Sequence, residues 1–225
     1  MHTTNKTQVR SIFHEGVITH PYKKTSRNFI VYNNGNDTLD YELTQDIFTT
    51  VDLSSFSIME NYIWRAQRDK SIDSYYALTN YENKVTCSLH RHLIGLGMDN
   101  TEISVDHKDR NTLNNTLSNF RLATNLQQCF NQNKKKNKVS SPYWGVTKRN
   151  DCVKDSFRVR VQCIDGSQKN LGSFSCEIAA AKAWDDFMFE QYKNHNPLGN
   201  TEFNGIFGEP TINFISFNFP DCLGI

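Results

Sequence analysis

Residues 105–128, VDHKDRNTLNNTLSNFRLATNLQQ, hold the side chains best suited to chemistry. A carboxylate and an imidazole stand side by side at Asp106 and His107. A polar loop rich in Asn follows, then a short apolar-alternating run at 119–123, then a helix-compatible stretch of amide side chains after Thr124. The order reads strand, loop, strand, helix. An Asp-His pair at a strand end, faced by a polar ligand on a helix, can hold one divalent cation and one general base. That combination suits hydrolysis of a phosphodiester. The cation neutralises charge on the phosphate and the leaving oxygen, and the imidazole deprotonates water.

Other elements must position this stretch. Phe48 to Asp52 reads as a strand, as do residues 42–44, and residues 56–62 as a short helix ending near Trp64. Residues 75–79 and 85–89 read as a hairpin. His90 and His92 fall on one side of an alternating chain and Arg91 on the other. Within residues 1–40 only 29–32 suggest a strand, with a turn at 33–36, so this part is expected to be an extension without an assigned role. Residues 133–142 are basic and lack periodicity, as a linker would. Beyond them, Phe157, Val159 and Val161 alternate with Arg158, Arg160 and Gln162. Asp165-Gly166 marks a hairpin, and 169–174 a third strand. Ser175 can cap a helix whose Ala180, Ala181, Trp184, Phe187 and Met188 share a face. Residues 212–219 are apolar enough to dock as a strand.

Two resemblances follow. Asp106-His107, Asn115, Asn119-Phe120-Arg121, Ala123-Thr124 and Gln127-Gln128 resemble the HNH nuclease motif in its ββα-metal fold. The resemblance implies Asp106 as a metal ligand and His107 as the general base. Asn119 would pin the loop and orient the imidazole. It places the last ligand at Gln128, where the family usually has Asn or His, with Asn125 and Asn131 as alternatives. Mg²⁺ or Mn²⁺, one per site, is the implied ion, since oxygen ligands suit a hard cation. The implied products carry a 5′-phosphate and a 3′-hydroxyl.

The second resemblance rests on Tyr143-x-Gly145-Val146, Leu171-Gly172-x-Phe174 and Ala180-Ala181-x-Ala183-Trp184-Asp185. These residues are similar to the APETALA2/ethylene-response-factor DNA-binding domain, a three-stranded antiparallel sheet plus helix that lays its sheet in the major groove. By position the implied DNA-facing residues are Thr147, Arg149, Arg158, Arg160, Gln168 and Asn170. Arg suits guanine edges, Gln and Asn suit adenine, and any of them can touch phosphate. Residues 134–169 hold ten Lys or Arg against three Asp, as an anionic partner requires.

Composition bounds the rest. With 225 residues, 37% hydrophobic and 22% charged, the chain has room for two small domains and is not of disordered type. Its formal net charge of +1 says nothing about nucleic acid. Six Cys without a CxxC pair argue against a zinc ribbon and for free thiols in a reducing compartment. The N-terminus lacks a signal-peptide core, and no apolar run spans a bilayer. The expectation is therefore an α+β protein, soluble and intracellular, in cytoplasm or nucleus. Its parts are an extension at 1–40, an HNH module at 41–132, a linker at 133–142, an APETALA2-type domain at 143–204 and a tail at 205–225. It would hydrolyse double-stranded DNA, nicking as a monomer or cutting both strands as a homodimer, in the manner of homing-type endonucleases. The alternative is a DNA-binding regulator with an inactive HNH module; an RNA-directed protein is a third reading.

Overall fold

A computed structural model describes residues 11–19, 26–70, 73–81, 85–97, 99–132, 140–149 and 156–224. The expected linker at 133–142, with Lys134, Lys135, Lys136 and Lys138, lies almost wholly outside the described residues. The fold is mixed α+β, with strands predominating and few helices. Among the described residues no helix is long and apolar enough to cross a membrane. The chain divides into two compact units. Unit 1 comprises 1–101, 107–121 and 203–206; unit 2 comprises 102–106, 122–202 and 207–225. This division does not fall at 132/133, where the change in composition suggested a boundary.

Unit 1 opens with an antiparallel meander of β1 (Ser11–Thr19), β2 (Ser26–Gly35), β3 (Thr38–Glu42) and β4 (Phe48–Asp52). Within the stretch 1–40 expected as an extension, β1 and β2 share a sheet with β4. Phe29, Val31, Leu39, Tyr41 and Val51 supply its buried side chains, as period-two alternation predicts. After α1 (Phe56–Met59), the fully buried Trp64 gives its indole N–H to the Met59 carbonyl at 3.0 Å, which satisfies the one polar atom it buries. A second sheet follows from β5 (Arg65–Asp69), β6 (Ser74–Asn80) and β7 (Thr86–Ser88).

The next element corrects a sequence expectation. His90, Arg91 and His92 lie on a short helix, α2 (Leu89–Leu93), so strand alternation does not apply to them. His90 packs on Tyr76 and His107, whereas His92 packs among Tyr62, Trp64 and Tyr81.

Strand β8 (Ser104–His107) pairs with β10 (Phe120–Ala123), and between them β9 (Asn114–Asn115) joins the first sheet in parallel with β4. The unit division cuts β8 between Asp106 and His107. In unit 2, α3 (Asn125–Phe130) starts with a capping box in which Thr124 and Gln127 each satisfy the other's backbone N–H. Leu126 and Phe130 of α3 pack against the unit 2 core.

That core lies between a three-stranded antiparallel sheet and a long helix. The sheet is β11 (Val146–Arg149), β12 (Ser156–Gln162) and β13 (Gln168–Phe174), and the helix is α4 (Glu177–Tyr192). Val146, Phe157, Val159 and Val161 meet Ala180, Ala181, Trp184, Met188 and Tyr192 across it.

Residues 212–219 do not dock as a strand, contrary to expectation. The tail forms 3-10 turns at Thr211–Phe214 and Pro220–Cys222. The buried Asp185 carboxylate accepts from the backbone N–H of Asn218 (2.9 Å) and of Phe219 (2.7 Å). Ile215, Phe217 and Phe219 thereby close one side of the core.

Candidate active site

His107 belongs to unit 1. His107 ends β8 and is 5% exposed. Phe120 and His90 stand edge-on to its ring, with centroids at 5.3 and 5.1 Å. Burial holds the His90 imidazole well below the usual histidine range, and His107 and Arg91 push the same way. His90 is therefore neutral near pH 7 and places no cation against His107.

Asn115 lies at His107 Nε2, with its Oδ1 at 3.3 Å. Its Nδ2 donates to Thr49 Oγ1 at 2.8 Å and to the Thr112 carbonyl at 3.2 Å. Asn119 does something different. Its Oδ1 accepts from the Asp109 N–H at 3.1 Å, and its Nδ2 donates to Asp109 Oδ1 and to the Asn114 carbonyl, both at 2.8 Å. Burial works to raise the Asp109 pKa, but bonds from Asn114, Asn111 and Asn119 outweigh it and leave the carboxyl below its ordinary value. Asn119 thus braces the loop, while the contact to the imidazole comes from Asn115. The sequence pattern included Asn115 but assigned it no role; its position, eight residues after His107, was the signal available.

Asp106 belongs to unit 2. Asp106 is 5% exposed, and its Oδ2 accepts from Asn131 Nδ2 at 2.7 Å. Gln128, the position first expected to complete the ligand set, instead gives its Nε2 to the Val105 carbonyl at 3.3 Å. Asn131 is the C-cap of α3, one turn beyond Gln128 and on the same side of the helix axis. The remaining alternative, Asn125, is exposed at the start of α3. The adjacent Gln127 is fully buried; its Nε2 donates to the Glu209 carbonyl (2.9 Å) and to Thr211 Oγ1 (3.2 Å). That anchor fixes the rotation of α3 and so directs Asn131.

Among the described residues no three His, Cys, Asp or Glu side chains group as metal ligands. What Asp106 and Asn131 offer is one carboxylate and one amide oxygen. Such a sparse, hard donor set fits Mg²⁺, which keeps several waters and takes further oxygens from a phosphate. The Asn131 amide would have to turn its Oδ1 towards the cation.

The sheet of unit 2 presents a polar face opposite α4. Strand register sets Thr147 beside Arg158, Arg158 beside Ser173, Arg160 beside Asn170 and Gln162 beside Gln168. Directly paired residues share a face. All six expected DNA-facing residues, Thr147, Arg149, Arg158, Arg160, Gln168 and Asn170, therefore share the side away from the apolar core. The face also holds Ser156 and Ser173, which the sequence pattern did not single out. A bulge at Leu171, next to Gly172 with φ +118°, keeps Arg160 and Asn170 in register. Among the described residues the face carries three Arg and no acid.

No protein-family model and no solved structure matches the chain. Over 94 residues, 40% of this chain, it is 37% identical to the uncharacterized HNH endonuclease L560 of Acanthamoeba polyphaga mimivirus. The chain spans about half of that relative's length, 46%.

Proposed function

We propose that this protein is a DNA endonuclease of the HNH type, in which His107 acts as general base and Asp106 with Asn131 holds one Mg²⁺ or Mn²⁺. The observation that carries the reading is the Asp106 carboxylate held by Asn131 one peptide bond from the braced imidazole of His107. The similarity to a protein called an HNH endonuclease supports the same class. When bound, the cation would supply positive charge to the phosphate oxygens and to the developing alkoxide. His107 takes the proton of the attacking water, Asn115 holds the ring, and Asn119 keeps the loop from opening. The polar face of β11–β13 supplies affinity for duplex DNA, with Arg158 and Arg160 at its centre.

Nicking of supercoiled plasmid with Mg²⁺ or Mn²⁺ is the direct test. Specific binding without cleavage under either ion, in wild type and His107→Ala alike, would replace the proposal with a DNA-binding regulator. Engagement of Gln128 by a backbone carbonyl favours that second reading. Competition between duplex DNA and RNA separates the nucleic-acid classes.

Two substitutions refine the assignment. Asn131→Ala is expected to raise the Mg²⁺ concentration for half-maximal nicking roughly 10-fold or more. Gln128→Ala is expected to change it less than about 3-fold. The reverse order in a metal titration returns the ligand to Gln128. Arg158→Ala with Arg160→Ala is expected to weaken duplex binding roughly 10–50-fold and to flatten the log–log salt slope by about 2, one unit for each phosphate no longer neutralised. An unchanged slope would remove this face from the interface.

A further inference from the structure

The relay behind His107 does not stop at Asn115. Thr49, on β4 of the N-terminal meander, is fully buried and more than fifty residues upstream of His107. Its hydroxyl donates to the Leu113 carbonyl at 2.8 Å. That carbonyl can only accept, so the single hydroxyl hydrogen is committed to it. Towards Asn115, 2.8 Å away, Thr49 Oγ1 is then an acceptor, and the group facing it must be the Asn115 amide nitrogen. The second hydrogen of the same amide goes to the Thr112 carbonyl at 3.2 Å, again an obligate acceptor. Both constraints give one orientation, with Oδ1 turned to His107 Nε2. An amide oxygen has no proton to give, so in the neutral ring Nε2 carries the hydrogen and Nδ1 the lone pair.

We infer that Thr49 is a positioning residue for the general base: its hydroxyl sets the direction of the Asn115 amide, and through it selects Nδ1 of His107 as the basic nitrogen. The N-terminal meander then has a functional task. Strand β4 carries the relay and also docks the loop. The Thr50 N–H donates to the Leu113 carbonyl at 2.9 Å, and Asp52 Oδ2 accepts from the Leu117 N–H at 2.6 Å. β4 and β9 run in parallel register, Thr50 beside Asn114 and Val51 beside Asn115. The inference rests on the endonuclease reading for its catalytic consequence, but not for the tautomer.

The test uses Thr49→Val, which keeps the shape and removes the hydroxyl. The Leu113 carbonyl retains the Thr50 N–H, so the loss falls on the Asn115 amide, which keeps only the longer bond to the Thr112 carbonyl. Thr79→Val is the control. It deletes another buried hydroxyl of unit 1, one that bonds the Ile63 carbonyl at 3.0 Å and has no part in the relay.

The first readout is the tautomer of His107 by nitrogen-15 NMR of the full chain at about pH 9, where histidine rings are neutral. Wild type, Thr49→Ser and Thr79→Val should show the Nε2–H form alone, and Thr49→Val should show a mixture. The second readout is nicking. Thr49→Val should lose roughly 10-fold in kcat with KM for plasmid unchanged. Thr49→Ser and Thr79→Val should cleave as wild type does. Should Thr49→Val fail to fold, Asn115→Ala breaks the relay one residue nearer the ring and should give the same mixture.

An unchanged tautomer in the variant that folds overturns the role of Thr49, whatever the activity. Equal loss of kcat in Thr79→Val reduces Thr49 to a structural residue and overturns it too. Absence of nicking by wild type removes the endonuclease reading, while the tautomer comparison still decides the relay.

Discussion

His107→Ala is expected to reduce plasmid nicking by roughly 10²–10⁴-fold, the usual contribution of a positioned general base, while duplex affinity stays within about 2-fold. Neither the neighbouring imidazole nor the loop amides are suited to take over. His90 is the next imidazole, 5.1 Å from His107 between ring centroids, but burial disfavours the protonated form that a base must adopt. Asn115 and Asn119 are amides and accept no proton at neutral pH. The variant also leaves space beside Phe120 and removes one hydrogen bond to Asn115. A stability loss of about 1–2 kcal/mol is therefore expected alongside the catalytic one. The two effects separate by assaying at a temperature where circular dichroism shows the variant folded, and by measuring binding to uncut duplex. Residual nicking above one-tenth of wild type would mean that another group activates the water.

Gly145→Ala is the second large effect, and it concerns unit 2. Gly145 has φ +70°, a conformation that costs an L side chain about 1 kcal/mol. An added Cβ would stand 1.8 Å from Trp184 Cδ1 and 2.1 Å from its Nε1. Trp184 lies in the core with Val159, Ala180 and Ala181, so its ring has no free space to enter. The Gly145 carbonyl also accepts from the Arg160 N–H at 3.0 Å, so a shift of the backbone at 145 reaches the polar face directly. Overpacking of this kind costs about 1–3 kcal/mol, and with the backbone strain the total is about 3 kcal/mol. Gly166→Ala provides the contrast. Gly166 has φ +82° but no atom within 4 Å of the added Cβ, so strain alone, about 1 kcal/mol, is expected. Urea unfolding followed by Trp fluorescence would rank them, and equal losses would show that the Trp184 contact carries no weight. Weaker duplex binding should accompany Gly145→Ala, because the residues of β11 and β12 hold the Arg side chains.

Much of unit 2 is legible in its sequence. Phe157, Val159 and Val161 alternate with Arg158 and Arg160, and a strand admits only two faces, so assigning one face to the core gives the other to solvent. Ala180, Ala181, Trp184 and Met188 recur at helical spacing, which leaves only the sheet for α4 to cover. The same local logic fails at α2. His90 and His92 are two apart and read as strand neighbours, whereas the chain there is helical and sends them into different clusters. A five-residue element offers too little periodicity to decide between the two.

Local sequence alone determined that a carboxylate and an imidazole are adjacent at 106–107, that an Asn-rich loop and an amide-bearing helix follow, and that one sheet face carries Arg. These are properties of covalent order and of short periods. Tertiary structure decided the rest, because each remaining choice was among groups of the same chemistry a few residues apart. Gln128 and Asn131 lie one turn apart on α3, and only the burial of Gln127 against residues 209–211 fixes which of them meets Asp106. Asn115 and Asn119 lie four residues apart in one loop. A two-residue pairing with β4, more than sixty residues upstream, is what brings Asn115 to the imidazole and leaves Asn119 to brace the chain. Non-local hydrogen bonds, from Gln127 to residues 209–211 and from Asn115 to Thr49, made those selections, and a short window of sequence does not reach those partners.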